Sequence, residues 1–206
     1  MHLPARLTLA PDERACCTNP HHRIFMQGWR QSAHAVRHIR EVRVFGRDPQ
    51  RWAAFVERIR PLVAGTVRPA LDARSACDGA EIVVLATSSP TPVIEAAWIA
   101  PGAYVTTLGP KQQGRAEFGL DLAEAASLLV TDSVDQIGAY DPPNVLAGTS
   151  HEHRLVSLGA VRAGEAGTPA PDGISVFFSV GLAGTEVYLL DRLAASIGQS
   201  PLGHTG

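Results

Sequence analysis

Three short segments of this 206-residue chain combine glycine, hydroxyl and charged side chains in a pattern that suits binding of a charged small molecule. Glycine lets a ligand approach the backbone closely, and hydroxyl groups donate hydrogen bonds to phosphate or ribose oxygens. Ordinary turns use the same residue types, so one such segment alone carries little weight. The segments are Gly46-Arg47-Asp48, Thr87-Ser88-Ser89 and Leu108-Gly109-Pro110-Lys111.

Lys111 is the single lysine of the chain, beside 17 arginines. Burial lowers the pKa of an ammonium group, so a buried lysine can exchange a proton near neutral pH or attack a carbonyl as an amine. Alternatively, the ammonium contacts a cofactor phosphate or the solvent. The sequence leaves both interpretations open.

Each of the three segments follows a stretch that predicts a β-strand. Residues 41–45 alternate polar and apolar, whereas 81–87 and 103–109 are nearly continuous apolar runs, typical of strands buried on both faces of a parallel sheet. Asp48 before Pro49 predicts a helix start, with a carboxylate cap and proline at the first helical position. In a parallel sheet, ligands bind beyond the carboxyl ends of the strands, so the three segments are expected to border one site.

The later pattern continues this alternation of strands and helices. It predicts a helix over 121–126, strands over 128–132 and 174–180, and a long amphipathic helix over 182–197. The fold class we predict is therefore α/β, with a doubly wound parallel sheet.

Composition narrows the class of protein. A hydrophobic fraction of 45%, a charged fraction of 18% and a net charge of −2 are ordinary for a globular protein and give no sign of a nucleic-acid partner. No apolar run reaches the ~18 residues of a membrane-spanning helix, so no membrane partner is expected. Three cysteines form no obvious disulfide or metal framework, which favours a reducing, cytoplasmic location.

The segment AEIVVLATSSPTPVIEAAWIAPGAYVTTLGPKQQGRAEFGLDLAEAASLLVTDSVDQ resembles the core of the ornithine cyclodeaminase/mu-crystallin family. The shared features are a strand ending in Thr-Ser-Ser-x-x-Pro, a Trp-Ile/Leu-x-Pro-Gly turn, a glycine loop, Gly-Arg/Lys-x-Glu and an Asp-Ser pair. The later segment SVFFSVGLAGTEV is similar to the family's Phe-x-Ser-Val-Gly-Leu. The resemblance extends over residues 39–197.

This resemblance implies a Rossmann-like dinucleotide-binding domain over 39–150, with NADP or NAD as cofactor. It implies that 151–206 are the strand and helix remnant of a second domain, which holds substrate and forms a homodimer, and that 1–38 are an irregular leader. The implied activity is deaminating cyclisation, dehydrogenation or ketimine reduction of an amino acid or cyclic imine. The alternatives are a non-catalytic NADPH or small-molecule binding protein and an inactive fragment.

The N-terminal region departs from the family pattern. Relatives carry a first Rossmann strand and a Gly-x-Gly-x-Gln-Ala loop just before the position of residue 31, where this chain keeps only Gly28 beside a bulky Trp29. The resemblance finds no match to the substrate domain in the residues before it, so we expect that domain to be lacking. We therefore expect an N-terminally shortened member whose helix over 182–197 lacks its usual partner surface, so that the chain self-associates or has a mobile C-terminal region and turns over no amino acid.

The resemblance also assigns roles to single residues. Gly46-Arg47 stand where NAD-specific proteins carry an acidic residue on the ribose, and a small residue followed by arginine favours the 2′-phosphate of NADP. The alternative is a solvated arginine on a turn, with Asp48 only capping a helix. Lys111 falls where catalytic members carry an aspartate.

Three further residues are aligned with functional positions. Arg115 matches a basic residue that reaches the dinucleotide, or else forms a surface ion pair. Ser179 matches a cofactor-facing and Val180 a substrate-facing position, unless both simply end a packed strand. Asp132 with Ser133 is predicted to cap the following helix.

Overall fold

The computed structural model describes residues 5–11, as backbone, and 39–181. The glycine-poor stretch around Gly28 and the helix expected over 182–197 lie outside the described residues. None of the described helices is long and apolar enough to cross a membrane.

An eight-stranded parallel sheet forms the centre of the molecule, in the order β3-β2-β1-β4-β5-β10-β8-β9. A two-stranded antiparallel hairpin, β6 and β7, lies beside it. The strands are β1 (Ala5–Pro11), β2 (Ile39–Val44), β3 (Thr66–Pro69), β4 (Ile82–Ala86), β5 (Tyr104–Thr107), β6 (Lys111–Gln112), β7 (Arg115–Ala116), β8 (Ala126–Thr131), β9 (Leu155–Ser157) and β10 (Ile174–Phe178).

Short helices connect the strands. The α-helices are α1 (Pro49–Ile59), α2 (Ala73–Cys77), α3 (Leu120–Ala125), α4 (Gln136–Ala139) and α5 (Leu158–Ala163), and single 3-10 turns occur at Arg60–Leu62, Ala96–Trp98 and Glu152–Arg154.

Helix α1 begins as the sequence predicts. The Asp48 carboxylate accepts hydrogen bonds from the backbone N–H groups of Gln50 at 3.0 Å and Arg51 at 3.2 Å, and Pro49 is the first helical residue. The buried face of α1 packs on the β2–β3 side of the sheet and consists of Phe55, Val56 and Ile59.

Two apolar cores lie on opposite faces of the sheet. Alternate residues of β4 serve different cores: Val84 packs with α1 and β2, while Val83 and Leu85 pack in the larger core of β5, β8 and β10. Phe118 and Phe178 meet in the larger core with ring centroids 5.0 Å apart. The continuous apolar run of β4 therefore reflects burial on both faces, as predicted.

Two strands bear on the expected domain organisation. The supposed leader contains β1, which lies in the middle of the sheet between β2 and β4. β10, assigned from sequence to a second domain, lies in the main sheet between β5 and β8. Its apolar residues on one face, Ile174, Val176 and Phe178, complete the larger core, so the sheet does not divide at residue 151.

Candidate functional site

The parallel strands bring their carboxyl ends to one edge of the sheet. β4, β5, β10 and β8 are consecutive neighbours, so the segments that follow them are adjacent: Thr87–Ser89, Leu108–Lys111, Ser179–Val180 and Asp132. Gly46-Arg47-Asp48 follow β2, on the other side of β1. The chain runs from β1 outward through β2 and β3 and then returns to β4, and this reversal opens a ligand crevice in doubly wound sheets.

Glu117 lies at the centre of this edge with no exposed surface. One carboxylate oxygen, Oε2, accepts from the N–H of Thr87 at 2.8 Å and from its Oγ1 at 2.7 Å. The other, Oε1, accepts from the N–H groups of Leu108 at 3.1 Å and Gly109 at 2.6 Å. One buried carboxylate therefore joins the loop after β4 to the loop after β5.

The β6–β7 hairpin carries Glu117 to this position. Lys111–Gln112 pair with Arg115–Ala116, and Gly114 turns the chain with a positive φ of 77° that favours glycine. Glu117 follows directly, and its own backbone N–H donates to the carbonyl oxygen of Pro110 at 2.9 Å.

Gly109 makes room for that carboxylate. A Cβ atom at residue 109 would lie 2.2 Å from the carbonyl oxygen of Thr87 and 2.3 Å from Glu117 Oε2. The glycine predicted to admit a ligand is thus required by Glu117 and by the neighbouring strand end.

Opposing effects act on the pKa of Glu117. Burial raises the pKa of the carboxyl group, and this is the largest effect. Hydrogen bonds from Thr87 and Gly109 and the positive charge of Lys111 act in the other direction, yet the net pKa remains raised.

Lys111 is half-buried between two carboxylates. Burial lowers the pKa of its ammonium most strongly, and the negative charges of Glu117 and Asp132 oppose that shift without reversing it. Its backbone is fixed as well, because the carbonyl oxygen of Lys111 accepts from the N–H of Val145 at 2.7 Å. A lysine in this setting can donate a proton and accept it again more readily than an exposed one.

Asp132 joins the ends of β8 and β10, and the predicted cap role was wrong. Its carboxylate accepts from the N–H of Val180 at 2.8 Å, the N–H of Gly181 at 3.1 Å and the Oγ of Ser179 at 3.1 Å. The Ser179 N–H donates in turn to the carbonyl oxygen of Thr107 at 3.2 Å. Asp132 therefore fixes both residues that the resemblance assigns to ligand contact.

The hydroxyl-rich loop after β4 uses two of its hydroxyls internally. Thr87 Oγ1 donates to Glu117, and the buried Ser89 Oγ donates to the carbonyl oxygen of Thr91 at 2.8 Å. The remaining hydroxyl belongs to Ser88, which is half-buried at the strand end.

The charged candidate residues Arg47 and Arg115 are more exposed than Lys111. Arg47 is exposed after β2, and Arg115 is exposed on β7. The Asp48 carboxylate is engaged by the N-terminus of α1 and forms an ion pair with Arg51 at 3.2 Å. These bonds occupy Asp48 as a helix cap.

The roles of Glu117 and Asp132 were missed by sequence reasoning. The one local signal for Glu117 is its position between the apolar residues Ala116 and Phe118, which is a weak indication of burial. No local signal marks Asp132, because its partners lie 47 to 49 residues further along the chain.

The strand order and the convergence of loops at one edge of the sheet define a doubly wound α/β protein. The chain belongs to the ornithine cyclodeaminase/mu-crystallin family, which it matches over residues 27–195.

Individual relatives agree with this assignment. The chain is 32% identical over 101 residues to an uncharacterized cyclodeaminase of Sinorhizobium fredii, covering 49% of this chain and 30% of that protein. It is 29% identical over 131 residues to the alanine dehydrogenase of Archaeoglobus fulgidus, covering 61% and 38%. The Δ1-pyrroline-2-carboxylate reductase of Thermococcus litoralis, solved with NADH and L-proline, shares the fold with a TM-score of 0.73 at 20% identity, covering 95% and 59%. The chain thus spans about a third of the length of the two curated relatives.

Proposed function

We propose that this chain supplies the nicotinamide-dinucleotide site of an NAD(P)-dependent enzyme that acts on an amino acid or a cyclic imine. The observation that carries the proposal is the position of Lys111: it lies half-buried between Glu117 and Asp132, where the ends of β5, β10 and β8 meet. The reaction class is deaminating cyclisation, dehydrogenation or ketimine reduction. A homodimer is the assembly that we propose with it.

The residues at this edge suit a dinucleotide by their chemistry. The exposed Arg47 after β2 offers a cation for a 2′-phosphate, and the hydroxyl of Ser88 after β4 offers a donor for ribose or phosphate oxygens. Leu108, Gly109 and Pro110 form an uncharged surface after β5 suited to a nicotinamide ring. Ser179 and Val180, held by Asp132, are the proposed contacts nearest the substrate.

Lys111 is the proposed catalytic residue. A bound nicotinamide gives or takes a hydride, and the substrate nitrogen must gain or lose a proton as its bond order to carbon changes. Lys111 is the group at this edge that can carry that proton, because its ammonium is polarised by two carboxylates and its pKa is lowered by burial.

Substitution of Lys111 tests this role. Lys111→Met keeps the length of the side chain and removes the proton. Whatever turnover of proline, alanine or a cyclic imine the wild-type chain supports should therefore fall by at least ~100-fold, the usual effect of losing a general acid or base. Cofactor affinity, measured by calorimetry, should change little. The matched control is Arg162→Met on α5, an exposed cation far along the chain from this loop.

The outcome separates two functions. Parallel loss of turnover and cofactor binding assigns Lys111 to phosphate contact and contradicts the catalytic role. Cofactor binding by the wild-type chain without any turnover supports the second candidate, a non-catalytic NADPH or small-molecule binding protein. That candidate is favoured by one observation, the lysine itself, which stands where catalytic members carry an aspartate.

A further inference from the structure

We propose that Glu117 is the positioning residue of this site: its carboxylate locks the loops after β4 and β5 together and places a negative charge next to Lys111, which pairs with the residue before Glu117 in the β6–β7 hairpin. The inference rests on the proposed function, in which both loops face the cofactor and Lys111 exchanges a proton. Glu117 acts only through Lys111 and the two loops.

The geometry requires a carboxylate of this length. Four donors converge on Glu117, two on each oxygen, and three of them are backbone N–H groups of Thr87, Leu108 and Gly109. The N–H of Leu108 also donates to the carbonyl oxygen of Leu85 at 2.8 Å, so the N–H groups of Thr87 and Gly109 depend most on Glu117. A glutamine has one acceptor oxygen and turns an NH2 group toward donors, which leaves one of these two N–H groups unsatisfied. An aspartate keeps the charge but is one methylene shorter, so it cannot reach both loops as Glu117 does.

The loops after β4 and β5 are both shaped around the Glu117 carboxylate. A Cβ at residue 109 would lie only 2.3 Å from Oε2, so the loop after β5 is shaped around the carboxylate. The loop after β4 is shaped by the same group, because Thr87 Oγ1 donates to Glu117 while it accepts from the N–H of Ser89 at 3.2 Å. The two loops therefore cannot take their observed conformations independently.

Electrostatics connect Glu117 to the reactive group. Among the described residues, Glu117 and Asp132 are the charged groups that act on Lys111, and both favour the ammonium against the effect of burial. Asp132 also holds the end of β10, whereas Glu117 holds the loop that carries Lys111 and the loop after β4. Removing the charge of Glu117 should lower the pKa of Lys111 further.

The single lysine makes this shift measurable without an activity assay. Lysine labelled with carbon-13 at Cε gives one side-chain resonance in this chain, and its chemical shift against pH reports the pKa of Lys111 directly. Glu117→Gln should lower that pKa by about one unit or more, as expected for loss of a nearby opposite charge. Glu117→Asp should leave it closer to wild type while weakening NADPH binding by about tenfold, since the loops lose their shared anchor.

Glu124→Gln is the matched control, because it makes the same chemical change at an exposed carboxylate on α3 and should alter neither reading. A Lys111 pKa that is the same in Glu117→Gln and wild type would overturn the proposal. If Glu117→Gln does not fold, a folded Glu117→Asp that binds NADPH as tightly as wild type overturns it instead. A wild-type chain that binds no dinucleotide contradicts the proposed function, and the resonance of Lys111 then still decides the role of Glu117.

Discussion

At Lys111, burial and two neighbouring carboxylates act in opposite directions, and burial has the larger effect on the pKa. Folding lowers the pKa of Lys111 from its unfolded value of 10.5. The contribution of Lys111 to the stability of the fold is therefore fully present above pH 10.5 and is lost as the pH falls through the lower pKa of the folded state. At neutral pH, the lowered pKa of Lys111 therefore costs the fold free energy. The same cost prepares the residue to give up its proton.

The lowered pKa of Lys111 leads to a prediction about the stability of Lys111→Met. Near neutral pH the variant should be more stable than wild type, because it removes a partly buried charge, and the difference should shrink as the pH approaches 10.5. Urea unfolding at the two pH values measures it, with Arg162→Met as the control for loss of an exposed cation that does not titrate in this range. An equal difference at both pH values would show that folding leaves the pKa of Lys111 unchanged.

Arg47 carries the prediction about cofactor choice. If its guanidinium binds the 2′-phosphate, the chain should prefer NADPH to NADH, and Arg47→Asp should reverse the order by weakening NADPH binding about 10- to 100-fold, the value of a charge-assisted hydrogen bond. Calorimetric titration with both cofactors, beside Arg162→Asp as a control for surface charge, gives the answer. Equal affinities in the wild-type chain would rule this role out.

Among the elements, the loops after β4 and β5 depend on a glycine. Gly109→Ala places a Cβ against backbone and a buried carboxylate, so it should destabilise the chain by about 1–3 kcal/mol and weaken cofactor binding in parallel. Gly138→Ala in α4 is the matched control: its Cβ meets nothing within 4 Å, and it should be neutral or stabilise by up to about 1 kcal/mol. Chemical denaturation compares the two, and equal stability would show that the loop repacks freely.

The elements also show what local sequence can predict. β4, β5, β8 and β10 were predicted because each is a run of apolar residues with clear ends. β3 and β9 have only four and three residues, too few for a period to show. β1 was missed because ARLTLAP contains arginine and threonine and ends in proline, which is unusual for a central strand.

Some features of the candidate site could be predicted from the sequence, and others could not. Its loops were predicted from glycine, hydroxyl and charged residues at strand ends, and the sheet brings them together. The hydrogen bonds of Glu117 and Asp132 could not be predicted, because they join residues 30 and 48 positions apart and exist only once the strand order is set. Local sequence patterns predict where each strand ends. Which strand ends lie next to each other depends on the strand order of the whole sheet.

For the whole molecule, the position of β10 between β5 and β8 matters most. It brings Ser179 to the end of β5 and joins Ser179 and Val180 to Asp132, so residues from five parts of the chain border one edge. This edge is where we propose that a nicotinamide dinucleotide binds.

The most direct test is a titration of the wild-type chain with NADPH and NADH, followed through the carbon-13 resonance of Lys111 and, in parallel, by calorimetry. We expect the chain to bind the cofactor saturably, and we expect the Lys111 resonance to shift and to reach its plateau at the same cofactor concentration. Absence of binding, or binding that leaves the Lys111 resonance unmoved, would contradict this expectation.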